Sequence, residues 1–399
     1  MRRTRLAVLA LCFVHSVTQA ANCNGLWQKF DSNPYVANLF IDTSNTYWKL
    51  KFQVPAKGTT AFKVTGKFPF SRYLNFTVYD QQSMDATSAI SDYGVQPDDG
   101  SFNPFWEGAD LQLSDRNYTL YLVPSGTKSK FPFESNVLEY PKPTAGTQYV
   151  EIWYRVYFPN RGSDANGNVP LPNLEAFDVK TLSATTCPSA GSVPPPTSLS
   201  MANLPPNPYA HTIYFYRAPG EAIYSDLDNH YLVSRLTHRK SDVYVFRFRA
   251  PSHSETYAGT GNFNATTEVR YWSLCVAGAD GITGECLPDS KAQEASDGFI
   301  NVVVGSEDLR EDVEALGLNF ISRGDFSFPV VLYRNLLTAS TFEGSALNVP
   351  IWTPSGVLGS GPAASEYTAD QYIGDYAPLG RYCSTRRFFK NYCEVPVSF

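Results

Sequence analysis

The chain has little charge and few of the residues that most chemistry requires. Asp, Glu, Lys and Arg make up 18% of its 399 residues, with only five histidines and three methionines. No His-Glu-x-x-His or His-x-His spacing occurs, which removes the usual helical zinc sites. No Cys-x-x-Cys occurs, so a structural zinc site has no framework. No Gly-x-Ser-x-Gly elbow occurs, and Ser360 in Gly359-Ser360-Gly361 lacks the spacing of one. Beyond the N-terminus no run of 18 apolar residues is present, so no later segment reads as a spanning helix. No hydrophobic tail follows a small-residue site at the C-terminus, which argues against a lipid anchor there.

What is present begins with a secretory signal over residues 1–21. Arg2, Arg3 and Arg5 precede the short apolar run Leu6 to Val14, and Thr18-Gln19-Ala20-Ala21 supplies small residues for cleavage. Removing the three arginines takes the formal net charge from −6 to −9, which argues against broad nucleic-acid binding. Six cysteines remain after Cys12 of the signal, an even number in an exported chain, so they are expected as disulfides. Local spacing favours Cys275–Cys286 and Cys383–Cys393 and leaves Cys23–Cys187 as a clasp. With 25 Tyr, 26 Phe, 28 Pro and 27 Gly, the composition favours pleated surfaces joined by turns.

The clearest break is 188–208, which carries Pro194-Pro195-Pro196 and later Pro205, Pro206 and Pro208. It divides a first domain, 22–187, from a second, 209–358, with a C-terminal arm at 359–399. The two sides share an ordered series. Asp42-x-x-Asn45-x-Tyr47 matches Asp226-x-x-Asn229-x-Tyr231, and Lys67-x-Pro69 matches Arg249-x-Pro251. Arg72-Tyr73 to Phe76 matches Arg270-Tyr271 to Leu274, and Pro97-Asp98 matches Pro288-Asp289. Tyr118 to Val123 corresponds to Phe299 to Val304, and Tyr154-Arg155 to Tyr333-Arg334. The series predicts an all-β chain, mainly strand with few short helices, built as two duplicated β-sandwich or jelly-roll-like domains.

Lys63 to Thr77 and Asp242 to Arg249 alternate as half-solvated strands, whereas Ile152 to Phe158 and Val330 to Leu337 read as buried ones. A helix is expected from Ser306 to Leu316, ended by Gly317, and a second from the capping box Ser340-Thr341-Phe342-Glu343.

The segments RYLNFTVYD, QPDDGSFNPF, YRVYFPNRGSDANGNVPLPNL, VRYWSLC and CLPDS resemble an uncharacterised family of exported, mostly bacterial proteins. Each half is more distantly similar to a β-sandwich domain of unknown function from bacterial periplasmic proteins. The resemblance spans roughly residues 40–345 and implies a fold and an export route, with no catalytic residues. The chain departs from it at Asn75, where Ser is usual, and in the tail from about Gly359 onward.

Arg72, Arg155, Arg270 and Arg334 sit in apolar strand patterns and need partners, because an unpaired buried charge is costly. Asp42 and Asp226 are repeat-matched carboxylates that suit a brace within each sandwich. The competing expectation is a ligand site in which Arg72, Tyr73, Arg155, Arg270, Tyr271 and Arg334 hold an anion. Asp164, Asn166 and Asn168 place oxygens at alternate positions as a calcium loop does, although the glycine and glutamate of an EF-hand are missing and an Asn-Gly turn accounts for the pattern. His211, His230, His238 and His253 fall mostly among polar loop residues and read as solvated. Trp27, Trp48, Trp106 and Trp352 are candidate sugar-stacking aromatics. Asn75, Asn117 and Asn264 head sequons that matter in a eukaryotic host, with Asn264 best placed in a Gly/Asn-rich insertion. The segment Cys383 to Cys393, with Arg386, Arg387, Phe388, Phe389 and Lys390, is expected as a stapled hairpin offering charge and aromatics to an anionic surface.

The expected role is a secreted extracellular binding or structural protein, periplasmic in a Gram-negative host, with no cofactor. Its expected partner is carbohydrate or an anionic cell-surface polymer. The alternative is a secreted hydrolase of polysaccharide or ester with its site between the halves.

Overall fold

The structure is a computed structural model of the whole chain. It describes residues 21–29, 39–80, 84–128, 132, 135–143, 145–190, 212–217, 224–236, 242–326, 329–352 and 367–396. The expected signal lies almost wholly outside them, as do His211, His238 and most of the Pro-rich connector.

The first half carries β1 (Ala21–Asn22), β2 (Trp27–Lys29), β3 (Asn45–Pro55), β4 (Thr60–Lys67), β5 (Ser71–Asp80), β6 (Ala86–Ser91), β7 (Asn117–Pro124), β8 (Val137–Tyr140), β9 (Thr147–Pro159) and β10 (Asn173–Asp178). The second carries β11 (Thr212–Ile213), β12 (Asn229–Arg235), β13 (Asp242–Arg249), β14 (Val269–Gly278), β15 (Thr283–Pro288), β16 (Phe299–Gly305), β17 (Asn319–Ser322), β18 (Pro329–Thr338) and β19 (Leu379–Ser384). Each half is two sheets. The outer sheets run β1-β10-β4-β7-β8 and β11-β19-β13-β16-β17, and the inner sheets β2-β3-β9-β5-β6 and β12-β18-β14-β15.

The duplication is visible strand by strand. In both outer sheets the last pair, β7–β8 or β16–β17, is parallel while every other pairing is antiparallel. Both inner sheets have a register irregularity at one place, after Val78 and after Val276. Asn75 faces Arg155 across the ladder as Ser273 faces Arg334, and Phe76 faces Tyr154 as Leu274 faces Tyr333. One sequence match is displaced. Ser91 and Pro288 occupy equivalent register positions, opposite Asn75 and Ser273, so the twin of Asp289 is Asp92 and not Asp98.

Packing explains the two kinds of strand pattern. Leu50, Phe62, Val64, Leu74, Phe76 and Tyr154 fill the core between the sheets of the first half, and Phe246, Trp272, Leu274, Val302 and Tyr333 that of the second. A third core of Tyr47, Tyr73, Trp153, Tyr157, Tyr224 and Tyr271 lies between the halves. The inner sheets are therefore covered on both faces, which is why β9 and β18 read as continuous apolar runs.

Three expectations change. Lys63 to Thr77 is two strands, β4 and β5, because the chain turns at Phe68-Pro69-Phe70, where Gly167 approaches backbone closely at a positive φ. The first predicted helix is the 3₁₀ turn Glu307–Leu309 running into α1 (Arg310–Ala315), but Ser340–Glu343 forms turns, and the nearby cap is Ser345 on the 3₁₀ turn Ala346–Asn348. The described part of the segment read as an arm, 367–396, is integral, since β19 pairs with β13 and β11 in the outer sheet as β10 pairs with β4 in the first half. Among the described residues the other α-helices are α2 (Asp370–Ile373) and α3 (Thr385–Asn391).

All three disulfides have the expected partners, Cys23–Cys187, Cys275–Cys286 and Cys383–Cys393. Cys275 and Cys286 are direct partners across β14 and β15, which puts their Cα atoms 4.0 Å apart. Among the described residues no helix is long and apolar enough to cross a membrane.

Candidate functional site: the interface between the halves

Arg72, Tyr73, Arg155, Arg270, Tyr271 and Arg334 all reach the surface where the inner sheets meet. Their carboxylates come from the opposite half. Arg72 Nη1 lies 2.9 Å from Asp289 Oδ2, and Arg270 Nη1 lies 3.4 Å from Asp92 Oδ2. Tyr271 and Ser273 donate to Asp42 Oδ2 at 2.8 and 2.6 Å, while Asn75 and Tyr73 reach Asp226 Oδ1 at 2.8 and 3.4 Å. Arg334 Nη1 is 3.9 Å from Asp42. The expected brace within each sandwich is thus a brace between sandwiches. The Arg72–Asp289 and Arg270–Asp92 pairs, and the Asp42 and Asp226 contacts to Tyr271, Ser273, Tyr73 and Asn75, are reciprocal, as in an isologous dimer interface.

The loop ahead of each first inner strand delivers the Asp by crossing over. Phe40 and Tyr224, two residues before Asp42 and Asp226, have φ of 52° and 58°. At this bend their carbonyls meet the opposite arginine. Arg155 Nη2 donates to the Tyr224 carbonyl at 2.9 Å, and Arg334 Nη2 donates to that of Phe40. Two non-glycine residues at equivalent places in the left-handed region show that the crossing is over-determined by its contacts. Near the centre remains a cavity of about 30 Å³ lined by Tyr47, Tyr157, Tyr231, Arg155, Arg334 and Asp226, room for little more than a water or two.

The Asp92 and Asp289 carboxylates also accept from the backbone N–H of Leu74 and Trp272, at 3.1 and 3.2 Å. Burial pushes the Asp92 carboxyl up to about 7, opposed by Arg270, and the Asp226 carboxyl up to about 6, opposed by Arg155. Burial and the nearby Asp226 and Asp228 hold the Tyr73 phenol well above its ordinary value. Both folded-state carboxyl values exceed the ordinary 3.8. Between about pH 4 and pH 7 the folded chain therefore holds protons that the unfolded chain has released. Stability from these groups is full below that window and falls as pH rises through it, by a few kcal/mol overall. The stability difference between Asp92→Asn and the unchanged chain, from urea unfolding, is expected to shift in favour of the variant from pH 4 to pH 8. A pH-independent difference would refute the buried-acid assignment.

The remaining candidates fall elsewhere. Asp164 Oδ1 accepts from the N–H of Asn166 and Asn168 at 2.9 and 2.8 Å, Asn168 Oδ1 from the Asp164 N–H, and Asn166 Oδ1 from Trp48. These oxygens serve the loop itself, as a turn requires. Asn75 is buried against Asp226, so its sequon is inaccessible in the folded chain. Asn117 is half-buried in β7, and Asn264 is exposed. Trp27 is buried, Trp48 and Trp352 are partly covered, and Trp106 is 39% exposed.

The C-terminal staple closes the helix α3 and not a hairpin. Arg381 and Arg387 both pair with Glu394, Phe388 is buried, and Arg386, Phe389 and Lys390 are exposed. Of the three expected cations between the cysteines, Arg387 is thereby neutralised. His253 lies 3.5 Å from Glu255 and 4.0 Å from Asp289, beside the Arg72 brace.

The chain matches no family model and no curated protein. Among solved structures it is similar to a putative uncharacterised protein from Burkholderia cenocepacia, with 11% identity, a TM-score of 0.51, and 87% of this chain and 78% of that one covered. A protein from Vibrio parahaemolyticus is similar over 77% of this chain and 88% of its own, with 12% identity and a TM-score of 0.39. The first likeness shows a shared fold, and that neighbour is an uncharacterised bacterial protein.

Proposed function

We propose that this protein is an exported binding or structural protein whose two sandwiches act as one stiff body. The observation that carries this reading is the reciprocal brace. The charged and aromatic residues that were candidates for a ligand site between the halves bond across to the opposite half. Of these, Arg155 and Arg334 border a cavity of about 30 Å³, against the several hundred Å³ of an ordinary ligand pocket. The disulfides suit an oxidising compartment.

One observation favours the hydrolase reading. Burial raises the pKa of Asp92 toward that of a general acid, and Asp228 lies close enough to contribute to that shift. The two readings separate in one assay. The mature protein, incubated with insoluble cellulose, chitin and starch and with p-nitrophenyl acetate, is expected to sediment with at least one polymer. It is expected to release no more reducing ends or nitrophenolate than a heat-denatured sample. Steady turnover that disappears in Asp92→Asn would establish the hydrolase.

A further inference from the structure

In a duplicated chain, places where the two copies differ are informative, and the two braces differ in how fully their arginines are used. Arg72 is wholly buried. It donates to Thr256 Oγ1 at 2.9 Å, to the Arg270 carbonyl at 3.2 Å, to Asp289 at 2.9 Å and to Ser290 Oγ at 2.6 Å, with Glu255 3.7 Å away. Its twin Arg270 meets Asp92 alone at 3.4 Å and lies over the Phe263 ring at 4.1 Å. Among the described residues Arg270 Nε and Nη2 have no protein partner, and the side chain is 13% exposed.

Beside it the carboxylate of Asp228 accepts from Tyr73 OH at 2.6 Å and from Ser91 through Oδ2, which leaves Oδ1 as an acceptor. Asp228 replaces Ser44 of the first half at the equivalent place.

The aromatics differ as well. Tyr93 takes the position of Ser290 in the repeat. The chain between that turn and the next outer strand is 95–116 in the first half but only 292–298 in the second. The longer connection carries Phe102 and Trp106, and its Asn103 bonds back to the carbonyls of Asp92 and Val95 at 2.7 and 2.8 Å. Trp106 Nε1 donates to the Tyr93 carbonyl at 3.0 Å. Tyr93 is 52% exposed, Phe102 54% and Trp106 39%. The Tyr93 phenol lies within electrostatic reach of Asp228, Asp92 and Arg270, since all three perturb it. Phe105 stacks on Phe263 at 5.4 Å and ties this loop to Arg270.

We infer that this rim, formed by Tyr93, Trp106, Arg270 and Asp228, is a binding site for an uncharged saccharide. A sugar ring presents an apolar face to an exposed aromatic and hydroxyls at its edge to a fixed donor and a fixed acceptor. The rim brings those three things into one neighbourhood, since Trp106 is bonded to Tyr93 and the Phe105–Phe263 stack adjoins Arg270. The carboxylate of Asp228 offsets the charge of Arg270, which disfavours an anionic polymer here. The inference rests on the reading of the protein as a binding protein and names its ligand class and place.

The test uses the full mature chain and soluble hexasaccharides of β-1,4-glucose, β-1,3-glucose, α-1,4-glucose and β-1,4-mannose, followed by titration calorimetry. At least one is expected to bind. Trp106→Ala and Arg270→Gln are each expected to weaken it at least about tenfold, and Trp352→Ala to leave it unchanged. Trp106 is at the surface, so its variant keeps the fold, which a matching thermal transition checks. Binding that survives both Trp106→Ala and Arg270→Gln would overturn the rim assignment while leaving a binding protein. Failure of every hexasaccharide would overturn the saccharide class. Retention on cellulose, chitin or starch by a Trp106→Ala chain would show that the broader reading stands without this site.

Discussion

Arg72→Ala is expected to cost about 3–5 kcal/mol of stability. The guanidinium is buried with Asp289 on the far side of the interface, and neither group touches bulk water. Truncation leaves a buried carboxylate with its backbone and serine donors but without the guanidinium, and it removes the Arg72 partner of Thr256 and one of the partners of Ser290. The penalty is that of an uncompensated charge, so removing the charge should remove most of it. Arg72→Met with Asp289→Asn keeps an acceptor for the Trp272 N–H and is expected to recover more than half of the loss in urea unfolding. A loss below about 1 kcal/mol for Arg72→Ala, as for an exposed pair, would show that the brace does not hold the halves.

The double substitution Cys23→Ser/Cys187→Ser is expected to have the largest effect of any change at the cysteines. The bond spans 164 residues and ties the chain beside β1, the edge strand that borders β10, to the segment after β10. Closing so long a loop restricts the unfolded chain by up to about 5 kcal/mol, against about 3 kcal/mol for Cys275–Cys286. The latter spans 11 residues within an existing ladder. Thermal unfolding of the two double-serine variants should rank in that order. Equal midpoints, or a larger loss for Cys275→Ser/Cys286→Ser, would contradict it.

The strands and the duplication were legible because their signals are local. Alternation marked β13 over Asp242–Arg249, and the motif series set Arg155 and Arg334 at equivalent register positions. The buried arginines were legible as needing partners. The identity of those partners was not, because a carboxylate in one half and its equivalent in the other satisfy the same pattern, and only the crossing loops at Phe40 and Tyr224 decide between them. The displaced match of Asp98 to Asp289 came from a shared Pro-Asp pair. A better signal was present, since Asp92 precedes Gln96 as Asp289 precedes Gln293. Each Gln N–H meets an equivalent asparagine, Asn136 or Asn319. Of the rim, Trp106 and Arg270 were legible as candidates, whereas Tyr93 and Asp228 gain meaning only from what their twins do.

The central claim is that the braces make two sandwiches one cooperative unit. Scanning calorimetry of the intact mature chain tests it directly, since independent domains unfold in separate steps. The account predicts a single transition whose calorimetric and van't Hoff enthalpies agree, and which splits or moves as a whole in Arg72→Ala. Two resolved transitions in the unchanged chain, with one of them indifferent to Arg72→Ala, would contradict it.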